Sequence, residues 1–276
     1  KFEIQKSLDL ALKIKSFFEL MIFYSDNKIF VEEMKFTIKN GETIELLFKQ
    51  DDYIDEQKMS HLDFLLRYKD IKDNFVQILN NWIENHNKNI NEYSAFCNVI
   101  GDKNTKFNIY THYFQVVSAL EGYHRKNNES LDEERIEKAQ KYKQELNEKL
   151  TKCTDINLTY RKSLLNKLNN IYQTSLGDRI KELIIQSEIK EIIELEEDIF
   201  VNLLCFIKDI RNNIAHSKDI INIENKVKSS FEYIKIVALL LMMKDISLNH
   251  TQISKHIFDY DLSLIEKDLE SAFSKN

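Results

Sequence analysis

The sequence predicts a mostly α-helical protein, and three observations support that prediction. The 276 residues include no proline and only four glycines, the two residue types that most disfavour helix interiors. Hydrophobic residues make up 43% of the chain and recur at helical spacing along most of it, as expected for helices that bury one face. Only residues 29–48 alternate apolar and polar side chains in the manner of β-strands.

The first 108 residues predict an N-terminal helical region that contains one β-hairpin at about residues 29–48. Residues 1–24 are amphipathic and predict a helix. In the alternating segment, Asn40-Gly41 predicts a two-residue turn, because both residue types accept positive φ in a type I′ turn. Residues 59–86 predict one or two helices, and the asparagine-rich residues 85–108 predict a connection. A lone hairpin is marginal in water, so we expect its sheet either to be buried against helices or to be completed upstream, which would make this region the end of a larger sensing domain.

Residues 109–276 predict a second, wholly helical domain. Apolar spacing predicts six helices in it, at residues 111–126, 131–151, 158–173, 177–188, 198–212 and 226–244. Residues 152–181 contain six Lys and Arg but only two Asp. That segment predicts either a modest phosphate-facing strip or an ordinary solvated helix face.

Composition excludes several classes of function. The net charge of −6 is unlike that of proteins that coat nucleic acid non-specifically. No two glycines are spaced for a phosphate-binding loop, so we expect no nucleotide cofactor. Glu121-x-x-His124 is half of a di-iron motif without a second copy, so we expect no metal. The longest apolar run, residues 236–243, is far short of the roughly 20 residues of a membrane span, and no secretory leader is evident, so we expect a cytoplasmic protein without membrane contact.

Arg211 stands out because it ends a strongly apolar helical stretch. At 100° per residue, Arg211 falls within about 30° of the centre of the apolar face. That face is formed by Phe200, Leu203, Leu204 and Ile207. A guanidinium on a burial face requires a carboxylate, a phosphate or a partner surface to offset its desolvation. Glu121 is the carboxylate that we expect to pair with Arg211. A surface salt bridge between Glu121 and Arg125 is an alternative that the sequence favours almost as strongly.

Two segments resemble a known family. Residues 209–217, Asp-Ile-Arg-Asn-Asn-Ile-Ala-His-Ser, resemble the signature of HEPN ribonuclease domains, in which an Arg is followed by a polar residue and, a few residues later, a His. Residues 117–125, Val-Ser-Ala-Leu-Glu-Gly-Tyr-His-Arg, resemble the first HEPN helix of the ApeA-like subfamily, bacterial proteins associated with anti-phage defence. The likeness covers about residues 110–263. Residues 1–108 are only loosely similar to the tail of an ApeA N-terminal domain.

The resemblance implies a HEPN-type helical bundle that acts as a metal-independent endoribonuclease in anti-phage defence by abortive infection. It also implies a homodimer formed through the Arg211 helix, in which both protomers' Arg and His share one cleft. RNA is the expected substrate, and a phage-derived trigger or an inhibitory partner is also expected. Two alternatives are a catalytically inactive dimerisation module and the toxin of a toxin-antitoxin pair.

Arg211 and His216 suit the chemistry that this family performs. A histidine titrates near pH 6.5 and serves proton transfer, whereas an arginine meets two phosphoryl oxygens through its planar fork. We expect both side chains on one solvent-connected cleft. In an unbroken helix they would lie about 140° apart, so a local break at Asn212-Asn213 could bring them together. The alternative is an Arg211 paired with a buried carboxylate and an exposed, inactive His216.

Three further residues are assigned to the same site. Asn212 matches the polar position of the signature, where its amide could orient phosphate or hold the His, and a helix-capping role is equally compatible. Arg125 and Lys218 lie close in sequence to the two matching segments, and we expect them to bind RNA.

Overall fold

The computed structural model describes the chain at residues 2–21, 33–37, 43–47, 66–101, 109–153, 157–168, 174–216, 223–248 and 262–274. Helices and one two-stranded sheet make up its regular structure, in the order α1 (Phe2–Met21), β1 (Glu33–Thr37), β2 (Thr43–Leu47), α2 (Tyr68–Ile71), α3 (Phe75–Lys88), α4 (Ile90–Gly101), α5 (Ile109–Asn127), α6 (Glu129–Lys152), α7 (Leu158–Leu168), α8 (Leu176–Gln186), a 3-10 turn (Ile189–Glu191), α9 (Glu197–Ala215), α10 (Glu224–Asp245) and α11 (Leu262–Phe273). The predicted fold class, a mostly helical bundle with one hairpin, is confirmed.

α10 forms the centre of the bundle. Its residues from Ile236 to Met243 are all buried, which is the pattern of a helix that other helices surround. α5, α4, α8 and α11 pack around it. The apolar run that is too short to span a membrane is therefore the middle of the core. Among the described residues, no helix is long and apolar enough to cross a membrane.

The asparagine-rich residues 85–108 do not form the predicted connection. α3 continues to Lys88, and α4 occupies residues 90–101. Tyr93, Phe96 and Val99 recur every three residues on α4 and are fully buried. Burial of that apolar face outweighs the weak helix propensity of the asparagines, because packing contributes more than intrinsic preference. Residues 102–108 lie outside the described part of the chain.

The hairpin forms in the predicted place. Phe36 pairs with Ile44, and the last described pair is Thr37 with Thr43. The turn predicted at Asn40-Gly41 lies outside the described residues. The observed register places the two apolar alternations opposite each other, so the apolar face of the strands set the pairing.

The helices on both sides of residue 108 share one hydrophobic core. Phe17 of α1, Trp82 of α3 and Tyr93 of α4 belong to the same buried cluster as Leu120 of α5 and Leu240 of α10. The division of the chain at residues 108 and 109 remains a prediction. A further helix, α11, was not predicted from the sequence; it packs against α9 and α10.

Candidate active site

α9 is the helix that carries the predicted catalytic residues. Glu197 and Asp198 lie in its first turn, where carboxylates interact favourably with the helix dipole. Phe200, Leu203 and Ile207 bury one face against α5 and α8. α9 is also anchored further along by Ile210, which is buried, and Ile214, which packs against the core cluster, and the helix ends at Ala215.

Arg211 lies on α9 directly after the buried Ile210 and is held by α5. Its Nη2 donates to Oε2 of Glu121 at 3.0 Å, and its Nη1 donates to Oδ1 of Asn212 at 3.2 Å. The guanidinium also lies 5.6 Å from the ring centroid of Phe114, within the range of a cation–π contact. The carboxylate partner that the burial argument requires is thus Glu121, as predicted from the sequence.

Glu121 binds two arginines, so both of the ion pairs that the sequence offered as alternatives are present. Its Oε1 accepts from Nη2 of Arg125 at 2.6 Å, one helical turn along α5. The side chain of Arg125 is 57% exposed, whereas those of Arg211 and Glu121 are 27% and 17% exposed. The site therefore contains two guanidinium groups on one carboxylate, a local excess of positive charge beside solvent.

His216 lies at the end of α9 and is exposed. Its backbone N–H donates to the carbonyl of Asn212 at 3.0 Å, which completes the last helical turn. The predicted break at Asn212-Asn213 is wrong, because the helix continues through both residues to Ala215. The backbone hydrogen bonds of the last helical turn form across both asparagines, so these residues do not interrupt the helix. The His216 side chain consequently lies about 140° around the helix from Arg211.

The structure brings together only part of the predicted site within one chain. Arg211, Asn212, Glu121 and Arg125 form one hydrogen-bonded group. Among the contacts of the described residues, none joins the His216 side chain to that group, and only its backbone N–H bonds to Asn212. Lys218 lies outside the described residues.

A comparison with known protein families covers the residues of this site. The family model for Apea-like HEPN matches residues 114–252, a span that contains Glu121, Arg125, Arg211, Asn212 and His216. The chain belongs to the ApeA-like HEPN family. No curated protein and no solved structure matches it. In this HEPN protein the matched span runs from α5 to just beyond α10 and includes the central helix of the bundle.

A buried polar group that the sequence did not reveal lies one turn along α5 from Glu121. His124 is fully buried, and its Nε2 lies 2.6 Å from Oε2 of Glu182. Nη1 of Arg179 lies 3.0 Å from its Nδ1. An arginine only donates, so Nδ1 of His124 accepts and Nε2 donates to Glu182. His124 is therefore a fixed link between α5 and α8, with no ring nitrogen left for catalysis.

A signal for Arg179 was present in the sequence. Arg179 precedes the buried Leu183 by four residues, which places a cation on the burial face of an amphipathic helix, as at Arg211. The desolvation argument applied to Arg211 would therefore have identified Arg179 as well.

A close approach of α4 supports the same end of α5. A Cβ at Gly122 would lie 2.7 Å from Oε1 of Glu92, so a larger residue there would force Glu92 to move. Glu92 is buried and pairs with Lys126 at 2.7 Å. Glycine beside Glu121 thus lets α4 lie directly against the helix that holds Arg211.

The possible metal ligands of the described residues do not cluster. Within the described ranges, no group of three or more His, Cys, Asp and Glu is arranged to hold a metal ion. The polar groups of the site are cations, an amide and one carboxylate, which suit an anionic ligand.

Proposed function

We propose that this HEPN protein is a metal-independent endoribonuclease that acts in anti-phage defence. The observation that carries the proposal is the position of Arg211, which is partly exposed and fixed by Glu121, on the same helix end as the exposed His216. Family membership supports a nuclease and defence role of this kind.

Arg211 has the properties of a phosphate ligand. Glu121 offsets the cost of partial burial and holds the guanidinium in one orientation, so little entropy is lost when a phosphate binds. Arg125 adds a second cation to the same carboxylate. In the proposed reaction these two cations stabilise the pentavalent phosphorane as its charge develops.

His216 supplies the proton transfer. Attack by the ribose 2′-hydroxyl requires a base to accept its proton, and departure of the 5′-oxygen requires an acid. Histidine performs both roles near neutral pH. Because the attacking oxygen belongs to the upstream nucleotide, the products carry 2′,3′-cyclic phosphate and 5′-hydroxyl ends.

A second copy of the chain completes the site in this proposal. One continuous helix places Arg211 and His216 about 140° apart, so a single α9 does not present both to one phosphate. A two-fold axis at the end of α9 would set the Arg211 of one copy beside the His216 of the other. We therefore propose a homodimer that buries the C-terminal turns of α9.

RNA cleavage by single-residue variants tests the proposal. Arg211→Ala and His216→Ala should each lower the cleavage rate by at least about 10²-fold, as expected for oriented donors and general acid-base groups. The circular dichroism spectrum should remain helical, and cleavage by the parent should persist in EDTA. Asp209→Ala, at an exposed residue of the same helix, serves as the control.

Two outcomes would overturn the nuclease proposal. Full cleavage of RNA by His216→Ala would show that His216 does not transfer the proton. Strict dependence of cleavage on Mg²⁺ would contradict a metal-independent mechanism. A parent protein that dimerises through α9 but cleaves no RNA would instead support an inactive dimerisation module.

A further inference from the structure

α6, α7 and the residues between them, 129–168, are called the α6–α7 hairpin below. Among the described residues, α6 and α7 make few contacts with each other and fewer still with any core helix. From Glu137 onward, the described side chains of α6 are exposed except for Lys143 and Leu150, which are half-buried. The surface of this hairpin therefore needs an explanation other than packing against its own chain.

The two helices of the hairpin carry the same exposed pattern. Tyr142 and Leu146 lie four residues apart on α6, and Tyr160 and Leu164 lie four apart on α7. Lys149 follows Tyr142 by seven residues and is exposed as well. The two tyrosines are 65% and 71% exposed, and each leucine is 41% exposed. Residues four and seven apart share one face of a helix, so each tyrosine stands beside a leucine on a solvent-facing surface.

Charge is strongly segregated along this hairpin. Residues 138–168 contain eight Lys and Arg and three Asp and Glu, a net charge of +5. The whole chain carries −6, so the remaining residues carry −11. The acidic residues of α6 concentrate in residues 129–137, next to the bundle, where they favour the start of the helix. The distal part of the hairpin is the basic surface of an acidic protein.

We propose that the α6–α7 hairpin is the RNA-docking element of this protein, an inference that rests on the proposed ribonuclease function. Exposed lysines such as Lys141, Lys149 and Lys162 would contact phosphates. Tyr142 and Tyr160 would stack on unpaired bases, since every base offers a π-face to an aromatic ring. Exposed tyrosines among lysines match single-stranded RNA, which presents both phosphates and unstacked bases.

A second copy of the hairpin is a poor alternative occupant. Residues 138–168 of two copies, each with a net charge of +5, would repel each other when juxtaposed, whereas a polyanion gains from both charge and counterion release. An acidic protein would satisfy the charge but would not need stacking rings. The combination of cations with exposed aromatic rings favours nucleic acid.

The root of the hairpin connects to the candidate active site. The chain returns to the bundle at Thr174, whose carbonyl accepts from Nε of Arg179 at 3.1 Å, and Arg179 contacts His124 of α5. A Cβ at Gly177 would lie 4.0 Å from Cδ of Lys208, one helical turn before Arg211. Within the hairpin, Nη2 of Arg161 donates to the carbonyl of Cys153 at 2.6 Å, which fixes α7 to the end of α6.

RNA affinity of charge-matched variants tests this proposal. The probe is a fluorescein-labelled single-stranded RNA of about 15 nucleotides, measured by anisotropy with the full chain in EDTA. All proteins carry His216→Ala, so that the probe is not consumed. One variant reverses Lys141, Lys149 and Lys162 to Glu, and the control reverses Lys69, Lys72 and Lys228, which are exposed elsewhere on the chain. Both variants have the same net charge.

The hairpin reversal should weaken RNA binding at least about tenfold at 0.1 M salt, and the control should weaken it less than about threefold. Loss of three phosphate contacts should lower the slope of log affinity against log salt by about 2, because each contact to single-stranded nucleic acid contributes about 0.7. Tyr142→Ala and Tyr160→Ala should each weaken binding at least about fivefold, whereas Tyr→Phe at either position should not, because stacking does not need the hydroxyl.

Equal losses in the two charge-reversed variants would overturn the proposal, since they would reflect only the overall field. Variants that change sedimentation while keeping RNA affinity would also overturn it and would indicate a protein interface. Binding does not depend on cleavage in this assay. A chain that binds RNA through the hairpin but cleaves none would contradict the proposed function and support the docking element.

Discussion

Glu121 holds two arginines, and the interaction energies should differ in a way that distances alone do not suggest. The bond from Arg125 is the shorter, at 2.6 Å against 3.0 Å from Arg211. Arg125, however, is 57% exposed and one turn away on the same helix. Such exposed pairs contribute about 0.3–0.5 kcal/mol because solvent screens them.

The Arg211 pair should be the stronger of the two. Both of its side chains are mostly shielded, at 27% and 17% exposure, so their interaction lies between the exposed range and the 3–5 kcal/mol for breaking a buried pair. We expect a coupling energy of about 1–2 kcal/mol, reduced from the buried value because the carboxylate is shared and partly solvated.

Double-mutant cycles measure both energies directly. The variants are Glu121→Gln, Arg211→Gln and Arg125→Gln with the two double mutants, unfolded in urea at one fixed protein concentration because assembly contributes to stability. Glutamine keeps the shape of Glu121 without its charge, and it replaces each arginine by a shorter, uncharged polar side chain. A coupling of Glu121 to Arg125 that equals or exceeds its coupling to Arg211 would refute the reasoning, since burial would then not decide the strength of the pair.

Two further predictions concern assembly and pH. Arg211→Ala and His216→Ala proteins, mixed in equal amounts so that subunits exchange, should regain about one quarter of the parent's cleavage rate. Half of the dimers are then mixed, and each mixed dimer retains one complete Arg and His pair out of two. No recovery of cleavage would contradict a site shared between copies. Burial raises the pKa of Asp245 above its ordinary value, although Tyr93 and Tyr123 donate to its carboxylate at 2.6 and 2.8 Å. The folded state therefore retains this proton where the unfolded chain has lost it, so the associated stability is present below about pH 4 and is lost as pH rises through the raised pKa. The free energy of unfolding of the parent, compared with that of Asp245→Asn by urea titration, should fall as the pH rises above about 4; a constant or growing difference would contradict a raised pKa.

Local periodicity predicted most helices because burial and helical spacing agree along this chain. The prediction of a connection at residues 85–108 was wrong because it rested on the asparagine content. The apolar positions Tyr93, Phe96 and Val99 have helical spacing and indicate the helix. The strands of the hairpin form where the apolar alternation predicted them, whereas its turn at Asn40-Gly41 lies outside the described residues. In both places the burial pattern over several residues agrees with the structure.

The candidate site was predictable where the argument concerned charge. A cation on the burial face required a carboxylate, and Glu121 supplies it to Arg211. The relation of His216 to that pair was not predictable, since it depends on whether two asparagines end a helix or continue it. The link of His124 to Arg179 and Glu182 depends on the packing of α5 against α8, which no local pattern in one helix specifies.

The contact at Gly122 has a mechanical consequence. Glu92 fills the space that a side chain at position 122 would occupy, so α4 and α5 meet there with little free volume, and the next residue on α5 is Glu121. The contact is made by the end of the flexible Glu92 side chain, so a displacement of α4 would first shift this side chain and the Glu92–Lys126 ion pair. That ion pair therefore reports on the fit between α4 and α5 one residue away from the carboxylate that orients Arg211.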